Sequence, residues 1–116
     1  MKIVHYSDIT PTPYESETAS NAMGRVCIGK DDGAKNFCMR VFELGTDGSS
    51  AHHKHDFEHE VFIHQGEGEV EIDKTISHVR PGTAIFIPPG VIHQLRNTGA
   101  KPLIFVCCIP AGYPEL

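Results

Sequence analysis

The sequence predicts a single all-β domain, built as a sandwich or a barrel. Short segments rich in Val, Ile, Leu and Phe recur about every ten residues, and Gly and Pro separate them. No long stretch carries an apolar stripe at helical spacing. The 116 residues contain no internal repeat or linker and suit one folding unit, so the predicted domain spans 1–116.

Six segments carry the strongest strand pattern, and each ends at or near a turn signal. They are 36–44, 60–64, 69–73, 76–79, 83–87 and 103–109. Val70 and Ile72 alternate with acidic residues, which is typical of a strand with one buried face. Residues 2–5 and 25–28 are weaker candidates for edge strands. Residues 14–23 are predicted to form a loop with one helical turn, because they lack a helical apolar stripe.

Charge and hydropathy exclude two classes of partner. Ten Lys and Arg against fifteen Asp and Glu give a net charge of −5, opposite to that of a surface that binds nucleic acid. The longest apolar run, 103–109, is far shorter than the roughly 20 residues of a membrane span. The first eight residues lack the apolar core of a secretory signal. We therefore expect a cytoplasmic protein with no nucleic-acid or membrane partner.

The four cysteines predict neither a disulfide framework nor a zinc site of cysteines. Cys27 and Cys38 stand apart, and Cys107 and Cys108 are adjacent, so no C-x-x-C spacing occurs. In a chain without an export signal, we expect these thiols to be reduced and mostly packed.

Histidine is the residue type that stands out. The chain has eight histidines, and five of them lie within 52–64. His53 and His55 are two positions apart, which on an extended segment places both rings on one face, about 6.5 Å apart along the chain. Two imidazoles so placed can bind one metal ion at about 2.0–2.1 Å. This segment is therefore a candidate metal site.

A motif around His93 indicates which family the sequence resembles. The second motif of the cupins is Gly, five residues, Pro, one residue, Gly, two residues, His, three residues, Asn. Gly82, Pro88, Gly90, His93 and Asn97 match every position, which this composition produces by chance about once in ten thousand. The sequence thus resembles the cupins. The resemblance implies a single conserved cupin barrel, also described as a double-stranded β-helix or jelly roll.

The first cupin motif is matched in part. Its His-x-His is formed by His53 and His55, but four residues rather than the usual five separate Gly48 from His53. The position that cupins usually fill with glutamate has two candidates here, His59 and Glu60.

Strand parity favours His59 for that position. If His59 faces the interior, Val61 and Ile63 face it too, whereas an inward Glu60 leaves these two β-branched residues outside. With His59, the chain is similar to the four-histidine subgroup of small single-domain cupins over about 33–112. Glu60 remains the alternative ligand.

Three further residues are candidates for the wall of a substrate pocket. Cys107 aligns with a cysteine that the resembled subgroup places on a cavity-lining strand, and Phe105 shares its face. The segment 103–109 is apolar on both faces, so its parity is open and packing is the alternative role for Cys107. Arg40 interrupts an apolar strand and faces either the pocket or solvent.

The predicted centre of His53, His55, His59 and His93 would hold one divalent transition metal. Imidazole donors suit Fe, Ni, Cu and Zn, whereas the resemblance implies Mn or Fe. Four neutral ligands leave two positions of an octahedral ion open. The first functional hypothesis is a metal-dependent oxidoreductase of dioxygenase type, which acts on a small chelating organic substrate with O₂.

Two other classes of function stay open. One is a metal-dependent isomerase or lyase acting on a sugar acid or another small carboxylate, and the other is a non-catalytic small-molecule binding or sensor module. No general acid or base is predicted. Metal affinity is expected to fall below about pH 6–6.5, because protons compete for imidazole. The resemblance also implies a homodimer, paired through sheet edges.

Overall fold

The computed structural model describes residues 1–14 and 16–116, and this part of the chain is nearly all β. The strands are β1 (Thr12–Pro13), β2 (Ser20–Ile28), β3 (Phe37–Ser49), β4 (His59–Gln65), β5 (Gly68–Ile72), β6 (Thr75–Val79), β7 (Ala84–Ile87), β8 (His93–Asn97) and β9 (Leu103–Pro110). Single turns of 3₁₀ helix form at Tyr6–Asp8 and Lys30–Asp32. Neither of these turns has the length and apolar character that crossing a bilayer requires.

The strands form one curled antiparallel sheet. Its order is β6-β5-β8-β3-β9-β4-β7, and β2 pairs with β3 and carries β1. The long strand β3 pairs along most of its length with both β2 and β9, and its last residue, Ser49, reaches β8. Because the sheet curls around β3, the inner faces of distant strands meet. The all-β class predicted from the sequence is confirmed.

The six predicted strand segments all coincide with observed strands, apart from shifts at their ends. The largest shift is in β3, which continues to Ser49 rather than ending at residue 44. The strand β8 was not predicted, because His93–Asn97 contains a single apolar residue, Leu95. Its backbone pairs with that of β5 on one side, and local composition does not indicate such a pairing.

Two weaker predictions at the amino-terminal end are corrected. Residues 2–5 form no strand and precede the 3₁₀ turn. Residues 20–23, predicted as part of a loop, belong to β2, and residue 15 lies outside the described residues. The local sequence of residues 20–23 does not favour a strand. These residues form one because pairing with β3 satisfies their backbone hydrogen bonds.

The core lies on the concave inner face of the sheet. On β4, His59, Val61 and Ile63 are buried, whereas Glu60 and Phe62 are exposed. Other fully buried side chains of this core are Leu44, Ile87, Leu103 and Ile109. This alternation places the residue that begins β4 on the same face as the core.

Candidate metal centre

Three stretches of chain bring four histidines to one end of the concave face. His53 and His55 lie between β3 and β4, His59 begins β4, and His93 begins β8. His53 and His93 exchange two backbone hydrogen bonds, of 3.2 and 3.0 Å. The carbonyl of His55 accepts a hydrogen bond of 2.6 Å from the Gly90 N–H. The backbone therefore holds the two histidine segments against each other.

Three of the four rings form a compact cluster of nitrogen atoms. One ring nitrogen from each of His53, His55 and His93 lies within 4.8 Å of the others. The Nε2 atoms of His53 and His55 are 3.0 Å apart. In an octahedral site, two neighbouring ligand atoms each lie about 2.1 Å from the ion, and their bonds to it meet at a right angle. Such atoms are about 3.0 Å apart, so this pair fits a shared ion.

His59 lies next to this cluster without belonging to it. Its ring centroid is 4.9 Å from that of His93 and 5.1 Å from that of His55. The Nε2 atom of His59 is buried and has no hydrogen-bond partner among the residues that the structure describes. A buried polar nitrogen without a partner destabilises the fold by about 1–3 kcal/mol, and an ion in front of it would remove that cost.

Contacts at Nδ1 indicate which nitrogen the rings of His93 and His59 present. The Nδ1 of His93 lies 2.9 Å from the carbonyl oxygen of Val91, which only accepts, so this nitrogen carries the proton. The Nδ1 of His59 lies 3.3 Å from the Sγ of Cys107. Both contacts leave Nε2 as the atom available to a metal, as is usual for histidine ligands.

Electrostatics keep the four rings neutral at pH 7. Burial lowers the pKa of His59 to about 3 and that of His53 to about 4, and the neighbouring rings and Arg40 add to this effect. Burial also lowers the pKa values of His55 and His93. Neutral imidazole is the form that binds metal ions, so the site needs no deprotonation step to accept one.

The alternative ligand, Glu60, lies on the opposite face of β4. It is exposed and lines an outer groove together with Glu58 and Cys108. Glu60 pairs with Phe86 and Cys108 across its neighbouring strands, on the side away from the core. The inner face at the start of β4 is therefore occupied by His59.

The histidines open into a cavity of about 60 Å³. Much of its wall is apolar, and the ring of Phe105 stacks on that of Phe42 with centroids 5.6 Å apart. All three predicted pocket residues, Arg40, Phe105 and Cys107, line this cavity. The parity of β9 that the sequence left open thus places Phe105 and Cys107 inward and leaves Cys108 half-buried on the outside.

Cys107 contacts both the centre and the charged residue of the cavity. Its Sγ accepts a hydrogen bond of 3.0 Å from Nη2 of Arg40 and lies 3.3 Å from Nδ1 of His59. Burial raises the pKa of the Cys107 thiol, which outweighs the opposing effect of Arg40. Cys107 therefore remains a neutral thiol that packs between a ring and a guanidinium.

The sequence patterns did not indicate the aromatic residues that surround the site. The ring of Phe57 stacks on His55 at 4.6 Å, and Tyr113 packs on Phe57 at 4.3 Å. Tyr14 lines the cavity and meets Phe42 edge-on at 5.8 Å. Only Phe57 carried a signal, its position between two motif histidines, because Tyr14 and Tyr113 lie outside the regular strand pattern.

Comparison with known proteins supplies the family. A family model described as "Cupin domain" matches residues 40–109, which contain all four histidines. The chain belongs to the cupin family. Because this cupin also has cupin-fold structural neighbours, the jelly-roll architecture implied by the sequence resemblance is confirmed. The family and the histidine cluster together indicate a metal-ion site.

Two curated relatives match the cupin over part of their length. An uncharacterized protein of Methanocaldococcus jannaschii is 37% identical over 63 residues, which are 53% of this chain and 48% of the relative. The glucose-6-phosphate isomerase of Thermococcus litoralis is 30% identical over 92 residues, which are 69% of this chain and 48% of that enzyme. The cupin thus spans about half the length of each relative.

Solved structures match the cupin over most of its length. The polyketide cyclase RemF from Streptomyces resistomycificus is 30% identical with a TM-score of 0.90, over 98% of this chain and 82% of that one. A predicted oxalate decarboxylase from Thermotoga maritima is 25% identical with a TM-score of 0.83, over 95% and 99% of the two chains.

Proposed function

We propose that this cupin is a metal-dependent enzyme that acts on a small chelating organic substrate. The observation that carries the proposal is the histidine cluster on the wall of one mostly apolar cavity, with three ring nitrogens within 4.8 Å of one another. Such a cavity, with a few convergent polar groups, is the usual form of a small-molecule site.

In this proposal, His53, His55, His59 and His93 hold one divalent ion, Mn or Fe. The unpartnered Nε2 of His59 supports its inclusion as the fourth ligand. Four imidazoles would also accept Ni, Cu or Zn, so the donor set does not select the metal by affinity alone. When bound, the ion supplies Lewis acidity towards a chelating substrate and, if it is redox-active, electron transfer to O₂.

The chain itself binds the substrate and keeps water out. Phe42 and Phe105 form an apolar wall next to the histidines, which limits the number of water molecules beside a bound ligand. Burial raises the pKa of the Tyr14 hydroxyl, so this side chain keeps its proton and offers a hydrogen-bond donor to the cavity. The four rings stay neutral at pH 7, so each keeps one ring nitrogen with a lone pair that can bind a metal.

The reaction first expected from the sequence is oxidation of dioxygenase type. The test is O₂ uptake by the Fe(II)- or Mn(II)-loaded protein with a panel of enolisable and catecholic compounds. Uptake that requires both metal and compound supports this class. Turnover that is unchanged under anaerobic conditions contradicts it.

A redox-neutral reaction is the second candidate, and the comparisons favour it. Among the proteins that match this cupin, one is named as an isomerase and another as a cyclase. An isomerase or lyase of this kind polarises a carbonyl, so redox-inert Zn²⁺ would support turnover without O₂. Saturable ligand binding with no turnover under either condition would instead favour a binding or sensor module.

Metal analysis tests the centre independently of any reaction. We expect about one divalent ion per chain in the wild type and in His78→Ala, which alters an exposed histidine of β6. His59→Ala should lower metal affinity at least as much as the roughly 10- to 100-fold that follows loss of a group hydrogen-bonded to a ligand. Equal metal affinity in His59→Ala and the wild type would remove His59 from the set.

A further inference from the structure

Arg40 carries a positive charge into the cavity without a carboxylate partner among residues 1–14 and 16–116. Its side chain lines the cavity and the residue is only 7% exposed. No described carboxylate lies within 4.0 Å of its guanidinium nitrogens. Glu115 contacts Arg40 through its backbone carbonyl, whereas its carboxylate accepts a hydrogen bond from the Lys30 N–H at 2.9 Å.

The hydrogen-bond partners that Arg40 does have are neutral. Its Nε and Nη1 donate to the carbonyl oxygens of Cys107 and Glu115, at 3.4 and 3.3 Å, and Nη2 donates to the Cys107 thiol at 3.0 Å. A guanidinium has five N–H donors, so two remain without an acceptor in the described part of the chain. The guanidinium also lies 4.9 Å from the centroid of the Phe42 ring, an interaction that offsets part of the burial cost.

A buried guanidinium that has unused N–H donors and no carboxylate partner among the described residues is suited to bind an anion. Arginine keeps its proton inside proteins, so the charge cannot be removed by deprotonation, and an unmatched buried charge strongly destabilises a fold. Besides Arg40, the described wall of the cavity contains no Asp, Glu or Lys side chain. Arg40 is therefore the sole fixed charge on the described wall of the cavity.

Arg40 also lies beside the candidate metal centre. Its Nη2 and the Nδ1 of His59 contact the same atom, the Sγ of Cys107, at 3.0 and 3.3 Å. A ligand that reaches the histidines thus has the guanidinium on one flank. The cavity volume of about 60 Å³ suits a small ligand.

We propose that Arg40 binds a carboxylate of the substrate, and that the substrates of this cupin are small carboxylic acids with a second oxygen donor. This inference rests on the proposed function and names its substrate class. The planar fork of the guanidinium matches a carboxylate with two parallel hydrogen bonds, which an uncharged amide cannot reproduce. The histidine end of the cavity then receives the second oxygen donor, for example a hydroxyl.

Matched acid and amide pairs test this preference. Glycolate with glycolamide and lactate with lactamide differ in charge and little in size, and their binding is measured by isothermal titration calorimetry. The titrations use both metal-loaded and chelator-treated protein, because a metal ion also prefers carboxylates. We expect the acid of each pair to bind about 10- to 100-fold more tightly than its amide in the chelator-treated wild type. Equal binding of acid and amide, or no binding of either acid, overturns the proposal.

Two variants test whether Arg40 causes the preference for the acid over the amide. Arg40→Gln should bring the acid and amide affinities to within about threefold of each other in metal-free protein, whereas Arg80→Gln, which removes an exposed arginine, should leave the preference unchanged. Thermal melts establish that each variant is folded. The comparison of acid and amide binding in the wild type does not depend on the variants. A preference that survives in folded Arg40→Gln overturns the assignment to Arg40.

Metal content measured on the same samples separates the two proposals. An acid preference in a wild type that binds no divalent ion supports Arg40 and contradicts the metal-dependent function. One metal ion per chain together with equal acid and amide binding contradicts the role of Arg40 alone.

Discussion

At the level of single side chains, Cys107 links the histidine centre to the charged wall of the cavity. Its sulfur atom contacts a ring nitrogen of His59 and a guanidinium nitrogen of Arg40, and its side chain is buried. Groups of this kind orient a metal ligand without touching the metal. The neighbouring Cys108 faces outward and provides a natural comparison.

Cys107→Ala removes the contact that orients His59. We expect metal affinity, measured by competition with a chelator, to fall about 10-fold or more while the protein remains folded. Cys108→Ala should leave metal affinity unchanged, because Cys108 lines the outer groove. Equal affinities in the two variants would show that Cys107 serves packing alone.

The lowered histidine pKa values predict a pH dependence of stability in the metal-free protein. The pKa is about 4 for His53 and about 3 for His59 in the folded state, against about 6.5 in the unfolded chain. Between about pH 6.5 and these values the unfolded chain binds more protons, so the free energy of unfolding decreases as pH falls through this window.

Urea unfolding at several pH values measures this effect. The decrease between about pH 6.5 and 4 should be smaller in His59→Gln and unchanged in His78→Gln, since His78 is exposed on β6. A pH profile that is the same in the wild type and His59→Gln would contradict the lowered pKa. The same shift moves proton competition for the metal below the pH 6–6.5 expected from an unperturbed histidine.

At the level of elements, the side chains of β4 alternate between the cavity side and the outer surface of the sheet. Its inner residues continue from His59 into the core at Val61 and Ile63, whereas Glu60 and Phe62 face outward. A shift of one residue would exchange the two faces, so the packing of Ile63 also fixes which side chain enters the candidate centre. The position of His59 and the stability of the core are thus coupled through one strand.

Two neighbouring residues of β4 test this alternation. Ile63 is fully buried, so Ile63→Ala should lower the free energy of unfolding by about 2–5 kcal/mol. Phe62 is 49% exposed, and Phe62→Ala should lower it by less than about 1 kcal/mol. Urea unfolding measures both values. A similar loss in the two variants would contradict the inward and outward assignment.

At the level of the whole molecule, the outer face of the sheet leaves large apolar side chains exposed. Phe62 on β4 and Phe86 on the neighbouring strand β7 are 49% and 57% exposed. Exposed aromatic residues on adjacent strands favour association with another surface. The homodimer expected from the family resemblance remains a prediction, and this face is where a second copy would cover apolar area.

Light scattering in solution tests the dimer. We expect a mass of twice the 12.8 kDa chain, and a shift towards the monomer in Phe86→Glu. Ile76→Glu is the matched control, because Ile76 is also exposed but lies on β6 at the other end of the strand order. A monomeric wild type contradicts the prediction, and a dimer unaffected by Phe86→Glu moves the interface elsewhere.

Local patterns in the sequence favoured one arrangement over another where the arrangement depends on near neighbours. The alternation of Val61 and Ile63 favoured His59 over Glu60, and the spacing around His93 indicated the family. The same patterns missed β8, whose pairing partner β5 lies more than twenty residues earlier in the chain. They also left the direction of Arg40 open, since the neighbours of Arg40 on β3 are apolar on both faces.

The sequence by itself determined the all-β class, the family and the histidines to consider, because strand alternation, turn residues and motif spacing are local and periodic. Only the tertiary structure decided that Arg40 and Cys107 enter the cavity, that Glu60 stays outside, and that aromatic residues from distant segments surround the site. These features depend on which strands pair and on how the sheet curls, and both result from contacts between residues far apart in the chain.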